Sequence, residues 1–305
     1  MIAGAGAACH RAPPPSPPPP PPPPLGAVGV QLMLPTEDAS SPRLDEARIA
    51  GAIRQHLLST GLFSLSADAG AAPVARAAAQ IGVDAVEVGA KGAVRAQVHL
   101  RLDDGRTSAP DPLSFELDGR GSENYAVPMP RRKGAAPVTP SARDAAAQGL
   151  VVRIADDLID GYVARRQIAQ GPPAAVHAAL AADGGELRDE AIRAVGERKL
   201  RDEAPRLLKL LNDPEERTRD AALGALIALG DRRAVSELTR TRSLRDRREM
   251  RKIIEAISIL GGEEADQYLS FVAATHDDDE IRAEAAAARA RLERRETDAT
   301  ALGSR

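Results

Sequence analysis

Hydrophobic and polar positions change their period several times along this chain, and each change marks an element. Ala27 to Leu34 is an apolar run of strand length ended by Pro35, which cannot donate to a sheet ladder, so it reads as a buried strand. From Leu44 to Thr60 the apolar positions fall four apart at Ile49, Ile53 and Leu57, with Ala50 and Leu58 widening the face and Gly61 as the stop. That spacing predicts an amphipathic helix. Phe63-Ser64-Leu65 reads as a short strand, and the alanine-rich Val74 to Ile81 as a second, shorter helix. Val83 to Val88 and Ala93 to Asp103 then alternate. In the latter, Val94, Ala96, Val98, Leu100 and Leu102 face one side and Arg95, Gln97, His99 and Arg101 the other, as a half-buried strand requires. Asp103-Asp104-Gly105 has turn chemistry, Leu113, Phe115 and Leu117 form the returning strand, and Gly119-Arg120-Gly121 reads as loop. A long helix from Ser141 to Gln167 carries Ala146, Leu150, Ile154, Leu158 and Tyr162 at spacing four, with Ser141 as N-cap and Asp144 at the capping-box position.

Leaving aside the short Val74 to Ile81 helix, the order strand, helix, four strands, helix describes an α+β domain with a mostly antiparallel sheet and its helices on one side. After it the period lengthens. Val195, Leu226 and Ile257 stand 31 residues apart, and the same shift brings Leu207, Leu238 and Leu269 together, then Ala194, Ala225 and Ala256, then Ala191, Ala222 and Ile253. Leu229-Gly230 recurs as Leu260-Gly261, and Val176 stands one period before Leu207. Each unit reads as a helix such as Arg219 to Leu229, a glycine turn and a second helix such as Arg233 to Arg240, with Asn212-Asp213-Pro214-Glu215 as punctuation. Two helices this short cannot bury their own apolar faces, so neighbouring units stack into an all-α solenoid. We therefore expect four segments: 1–26 as a disordered Pro-rich leader, 27–170 as the α+β domain, 171–296 as the solenoid, and 297–305 as a disordered tail that frays.

Composition narrows the function classes. The net charge of -3 and the absence of Trp, with three Phe and three Tyr in 305 residues, leave neither the clustered cations nor the stacking aromatics of a nucleic-acid binder. One cysteine makes no internal disulfide, no His/Cys cluster offers a metal site, and no apolar run approaches the roughly 20 residues of a membrane span. That cysteine, Cys9, follows Ala7-Ala8 and precedes a stretch, Pro13 to Pro24, in which eleven of twelve residues are proline. Small residues before a cysteine are similar to a bacterial lipoprotein processing site, although Gly6 stands where a large apolar residue is usual. Met1 to Ala8 is also too short for a charged and an apolar signal region, so this reading places the start upstream. As polyproline II at ~3.1 Å per residue the run reaches about 35 Å, a spacer suited to holding a domain off a membrane. The alternatives are an incidental cysteine in a tail and a Pro-rich ligand for an SH3-like module.

Two resemblances sharpen this. HLLSTGLFSLS, then GVDAVEVGAKG and RAQVHLRLDDGR ahead of a long helix, resemble the periplasmic lipoprotein domains of the curli-secretion, penicillin-binding-protein-activator and Tol-propeller amino-terminal type. The opening strand departs from that pattern, since Gln31 interrupts it and Leu34-Pro35-Thr36 replaces the usual ending. The resemblance implies an envelope protein that binds other envelope components. The 31-residue units resemble short HEAT-like repeats of the kind also found in phycobilin lyases.

Catalytic candidates are few. His99 lies on the polar face of its strand, Asp103 and Asp104 sit where a turn wants them, and no GxSxG, P-loop or GxGxxG occurs in the right context. We expect a non-enzymatic scaffold without cofactors, tethered to a membrane through Cys9 and binding a protein partner, not nucleic acid. A cytoplasmic HEAT-repeat adaptor is the alternative, and a chromophore-lyase-like enzyme is a remoter one for want of a cysteine-rich or aromatic pocket. Glu203, Arg206, Lys209, Arg232, Arg233, Glu237 and Arg240 fall between core positions and form either a solvated face or a partner-binding surface.

Overall fold

Residues 22–33, 41–65, 75–104, 113–127, 141–182, 184–241 and 246–303 are described by the computed structural model. Cys9, the proline run up to residue 21, Pro35, Val74 and Gly105 lie outside them. The chain divides into two units, Met1–Asp160 and Gly161–Arg305.

The first unit holds a five-stranded sheet. Its strands are β1 (Pro24–Leu32), β2 (Ser64–Leu65), β3 (Ala75–Val88), β4 (Lys91–Asp103) and β5 (Phe115–Ala126), in the order β2-β1-β3-β4-β5. The sheet is mixed and, as expected, mostly antiparallel: β1 runs parallel to β2 and β3, while β3, β4 and β5 are antiparallel neighbours over longer ladders. Helix α1 (Glu46–Ser59) stands between β1 and the strands that pair with it, and a helical crossover is what brings the next strand back parallel.

Two expectations fail in this sheet. From Ala75 to Ile81 the expected helix is strand. Ala75, Ala77, Ala79, Ile81 and Val83 are buried while Arg76, Ala78, Gln80 and Asp84 are exposed, a period of two that alanine at both kinds of position conceals. Pairing with β1 on one side and β4 on the other overrides the helix propensity of alanine. Nor is Gly119-Arg120-Gly121 a loop. It lies in the middle of β5, where a Cβ on Gly119 would stand 2.6 Å from Ile154 Cγ2 and one on Gly121 would stand 3.1 Å from Leu150 Cδ1. Helix α2 (Ala142–Gln170) passes close over this strand, and the glycines make room for it. The hairpin into β5 is also wider than a tight turn: buried Asp104 accepts the N–H of Leu113 at 2.8 Å and the hydroxyl of Ser114 at 3.4 Å.

The start of α2 follows the capping-box expectation. Ser141 Oγ accepts the N–H of Asp144 at 3.1 Å, and Asp144 Oδ2 accepts the N–H of Ser141 at 3.3 Å. Asp144 also accepts the N–H of Arg43 at 2.9 Å, which ties the chain ahead of α1 to α2. Burial by itself raises the Asp144 pKa. The bonds from Arg43 and Ser141 outweigh it and hold the carboxyl below its ordinary range. The deepest stripe of α2 is Ala147, Val151, Ala155 and Ile159, one position round from the expected one, whose Leu150, Ile154 and Leu158 instead lie against β5.

The second unit contains α3 (Pro173–Leu180), α4 (Glu186–Glu197), α5 (Ala204–Leu210), α6 (Glu216–Leu229), α7 (Arg233–Thr241), α8 (Arg247–Leu260), α9 (Glu263–Thr275) and α10 (Asp279–Gly303). The apolar sets of the 31-residue register are buried: Val195, Leu226 and Ile257 are all 0% exposed, and the leucine and alanine sets fall in the same core. Helices α4, α6, α8 and α10 form one row of neighbours, and α5, α7 and α9 another. Close crossing of the first row shows at Gly196, where a Cβ would stand 3.0 Å from Ala225 Cα. Helix α10 continues through Thr297 to Gly303, past the point where fraying is expected.

The register also explains the turns. Lys199, Gly230 and Gly261 occupy equivalent places after the first helix of each unit, with φ of 55°, 68° and 67°. Left-handed backbone suits glycine, and a residue with a Cβ loses ~1 kcal/mol or more there. Lys199→Gly is therefore expected to stabilise the second unit by about 1 kcal/mol, read as a higher denaturation midpoint with an unchanged slope.

Candidate functional site

Two rows of helices offer two faces, and they differ in how their charges are used. Along the first row, ion pairs join successive helices. Arg217 of α6 meets Asp189 of α4 at 3.0 Å, Lys252 of α8 meets Glu216 and Asp220 of α6 at 2.9 and 2.8 Å, and Arg251 meets Glu280 and Glu284 of α10 at 3.1 and 2.9 Å. Hydrogen bonds to Asp220 and Glu216 raise the Lys252 pKa above its ordinary value. Solvent screening keeps each of these exposed pairs weak, and their common feature is that they join one helix of the row to the next.

On the second row, a short 3-10 turn at Arg201–Glu203 leads into α5 and places Glu203 inward, at 8% exposure. Its carboxylate accepts Arg206 Nη1 at 2.7 Å and meets His177 Nδ1 of α3 at 3.1 Å. Burial alone raises the Glu203 pKa, while the bonds and charges of Arg206 and His177 hold it below the ordinary carboxylate range. These three residues tie α3 to α5. Glu203 is thus a structural anchor, and His177 was missed because its partners lie nearly a full period away in sequence.

The other expected residues divide. Arg233 is bound to Asp231, whose pKa the guanidinium holds down, at 2.5 Å between Nη2 and Oδ2, and Arg240 approaches Glu237 of its own helix at 3.5 Å. Asp231, Arg232 and Arg233 border a depression of about 380 Å³ with Arg201, Ala204 and Gly230. Exposed Lys209 and Arg232 form no ion pair among the described residues. Advancing Lys209 by one period gives Arg240 and by two gives Phe271, which is 56% exposed. Adjacent helices α5, α7 and α9 therefore present two cations and an aromatic ring at one register position. Phe271 also borders a hollow of about 550 Å³ with Arg247, Thr275 and Asp278. Its repeat register was the signal for it: an aromatic residue at a position held by Lys and Arg in the preceding units.

Comparison with known proteins bears on the second unit. Residues 173–252 match the family of HEAT repeats. No curated protein matches the chain. Among solved structures, the complex of CpcE and CpcF of phycocyanin lyase from Nostoc sp. PCC7120 overlays with a TM-score of 0.33 at 21% identity, covering 54% of this chain and 69% of that one. An overlay at that score carries no argument about activity. The family match leaves the first unit unassigned.

Proposed function

We propose that this chain is a non-enzymatic scaffold whose second helix row binds an acidic protein surface, and that Cys9 carries a lipid that holds it at a bacterial envelope membrane. One observation carries the binding half: Lys209 and Arg232 form no ion pair among the described residues, Arg240 meets Glu237 of its own helix, and Phe271 is exposed at the register position that Lys209 and Arg240 hold in the preceding units. Cations that tie no helices together, sharing a register position with an apolar anchor, are what an acidic partner with a hydrophobic contact residue requires. The tether rests on Ala7-Ala8-Cys9 and the proline spacer that follows. A lipoprotein's several acyl chains anchor stably where one chain does not.

Both halves are tested in the native host with the full-length gene. Lys209→Glu combined with Arg240→Glu and Phe271→Ser is expected to abolish partner cross-linking without changing the denaturation midpoint. Cys9→Ser is expected to move the protein from the membrane to the soluble fraction. Wild-type protein that is wholly soluble with an unmodified Cys9 by mass spectrometry replaces the tether with the cytoplasmic adaptor. Turnover of any substrate abolished by one point substitution overturns the non-enzymatic reading.

A further inference from the structure

Strand β5 is the last strand of its sheet, twelve residues long, and pairs with β4 from Leu102 opposite Phe115 to Lys91 opposite Ala126 without a slip of register. It contains neither proline nor lysine, and among the described residues no strand pairs with its outer side. A long, regular edge of this kind is a template for another strand unless it is blunted. The N–H of Val127 donates to Ala90 O of the β4 side at 3.1 Å. Backbone groups alternate sides along an antiparallel strand, so the odd-numbered residues of β5 bond β4. Those of Glu116, Asp118, Arg120, Ser122 and Asn124 point outward.

We infer that this edge pairs antiparallel with the same edge of a second copy, about a two-fold axis through Gly119. Outward-pointing residues must face outward-pointing residues, which leaves few registers near the middle of the strand. Centring on Asp118 or Arg120 sets like charges directly opposite each other, and centring on Leu117 sets Glu116 opposite Asp118. Centring on Gly121 pairs Arg120 with Ser122 and Asp118 with Asn124, with no charge complement. Only the Gly119 register places Asp118 opposite Arg120 of the second copy, and does so twice by symmetry, as an isologous interface requires. The residues are free to act so. Arg120 is exposed and makes no ion pair among the described residues, and the Asp118 side chain is 67% exposed while meeting His99 Nδ1 at 2.9 Å. The two Gly119 residues would meet as a non-hydrogen-bonded pair, where strands approach most closely and no side chain intervenes.

Sedimentation velocity of the full chain under reducing conditions tests this. Wild type is expected to follow a monomer–dimer isotherm. Ser122→Pro removes an outward N–H and no bond to β4, and is expected to give monomer with an unchanged circular dichroism spectrum. Asp118→Arg and Arg120→Asp are each expected to weaken the dimer by about tenfold or more, since two cross-strand pairs become like-charge oppositions, and the combined variant to restore it. If Ser122→Pro loses its fold, the charge pair alone decides. A chain that is monomeric throughout, a dimer that survives Ser122→Pro in the folded state, or a combined variant no tighter than the single ones overturns the proposal.

Discussion

Leu226→Ala is expected to lower the unfolding free energy of the second unit by about 2–5 kcal/mol, the range for cavities opened by truncating a buried leucine. Leu226 is 0% exposed on α6, the helix whose row neighbours are α4 on one side and α8 on the other. Removing its isobutyl group leaves a void that stacked units fill only by shifting together, so the loss should reach the flanking repeats as well. Arg232→Ala is the control: an exposed side chain with no ion pair among the described residues should change stability by less than ~0.5 kcal/mol. Chemical denaturation of the two variants decides, and equal midpoints would show that the 31-residue register does not mark the core.

The second large effect belongs to the sheet. Gly119→Val is expected to destabilise the first unit by about 1–3 kcal/mol, through overpacking. A Cβ at this position meets Ile154 Cγ2 at 2.6 Å and Leu158 Cδ1 at 3.1 Å, and valine adds two further methyl groups in the same direction. Relief requires α2 to lift from β5, which would strip cover from Leu150 and Ile154. Ser122→Ala, three positions on and on the exposed face, should leave the midpoint within ~0.5 kcal/mol of wild type. A wild-type midpoint for Gly119→Val would mean that α2 does not sit on this strand.

The physical difference between the parts that were legible in the sequence and those that were not is contrast. Strand β4 alternates valine and leucine with arginine, glutamine and histidine, so its period is plain, and the repeats place Leu, Ile and Val at one register against a charged background. Strand β3 sets alanine at buried Ala77 and at exposed Ala78 alike, which removes the alternation on which a strand assignment depends. In β5 the glycines that signal a turn in isolation were demanded by a helix 30 residues later in the chain, information no local window contains. The Leu-Gly signature was legible in two units and not in the one before them, since Lys199 occupies the left-handed position that glycine marks in the later two. Of the candidate face, Lys209 and Arg240 were visible as charges between core positions. The burial of Glu203, its bond to His177 and the exposure of Phe271 depend on which helices become neighbours.

The claim that the second row is the working face and the first row a structural one is tested most directly by site-specific photo-cross-linking in the native host. One probe replaces Phe271 on α9 and the other replaces exposed Arg248 on α8, in otherwise wild-type full-length protein. Protein adducts from position 271, depleted by Lys209→Glu with Arg240→Glu and absent from position 248, are the result this account predicts. Adducts from position 248 with none from position 271 would contradict it.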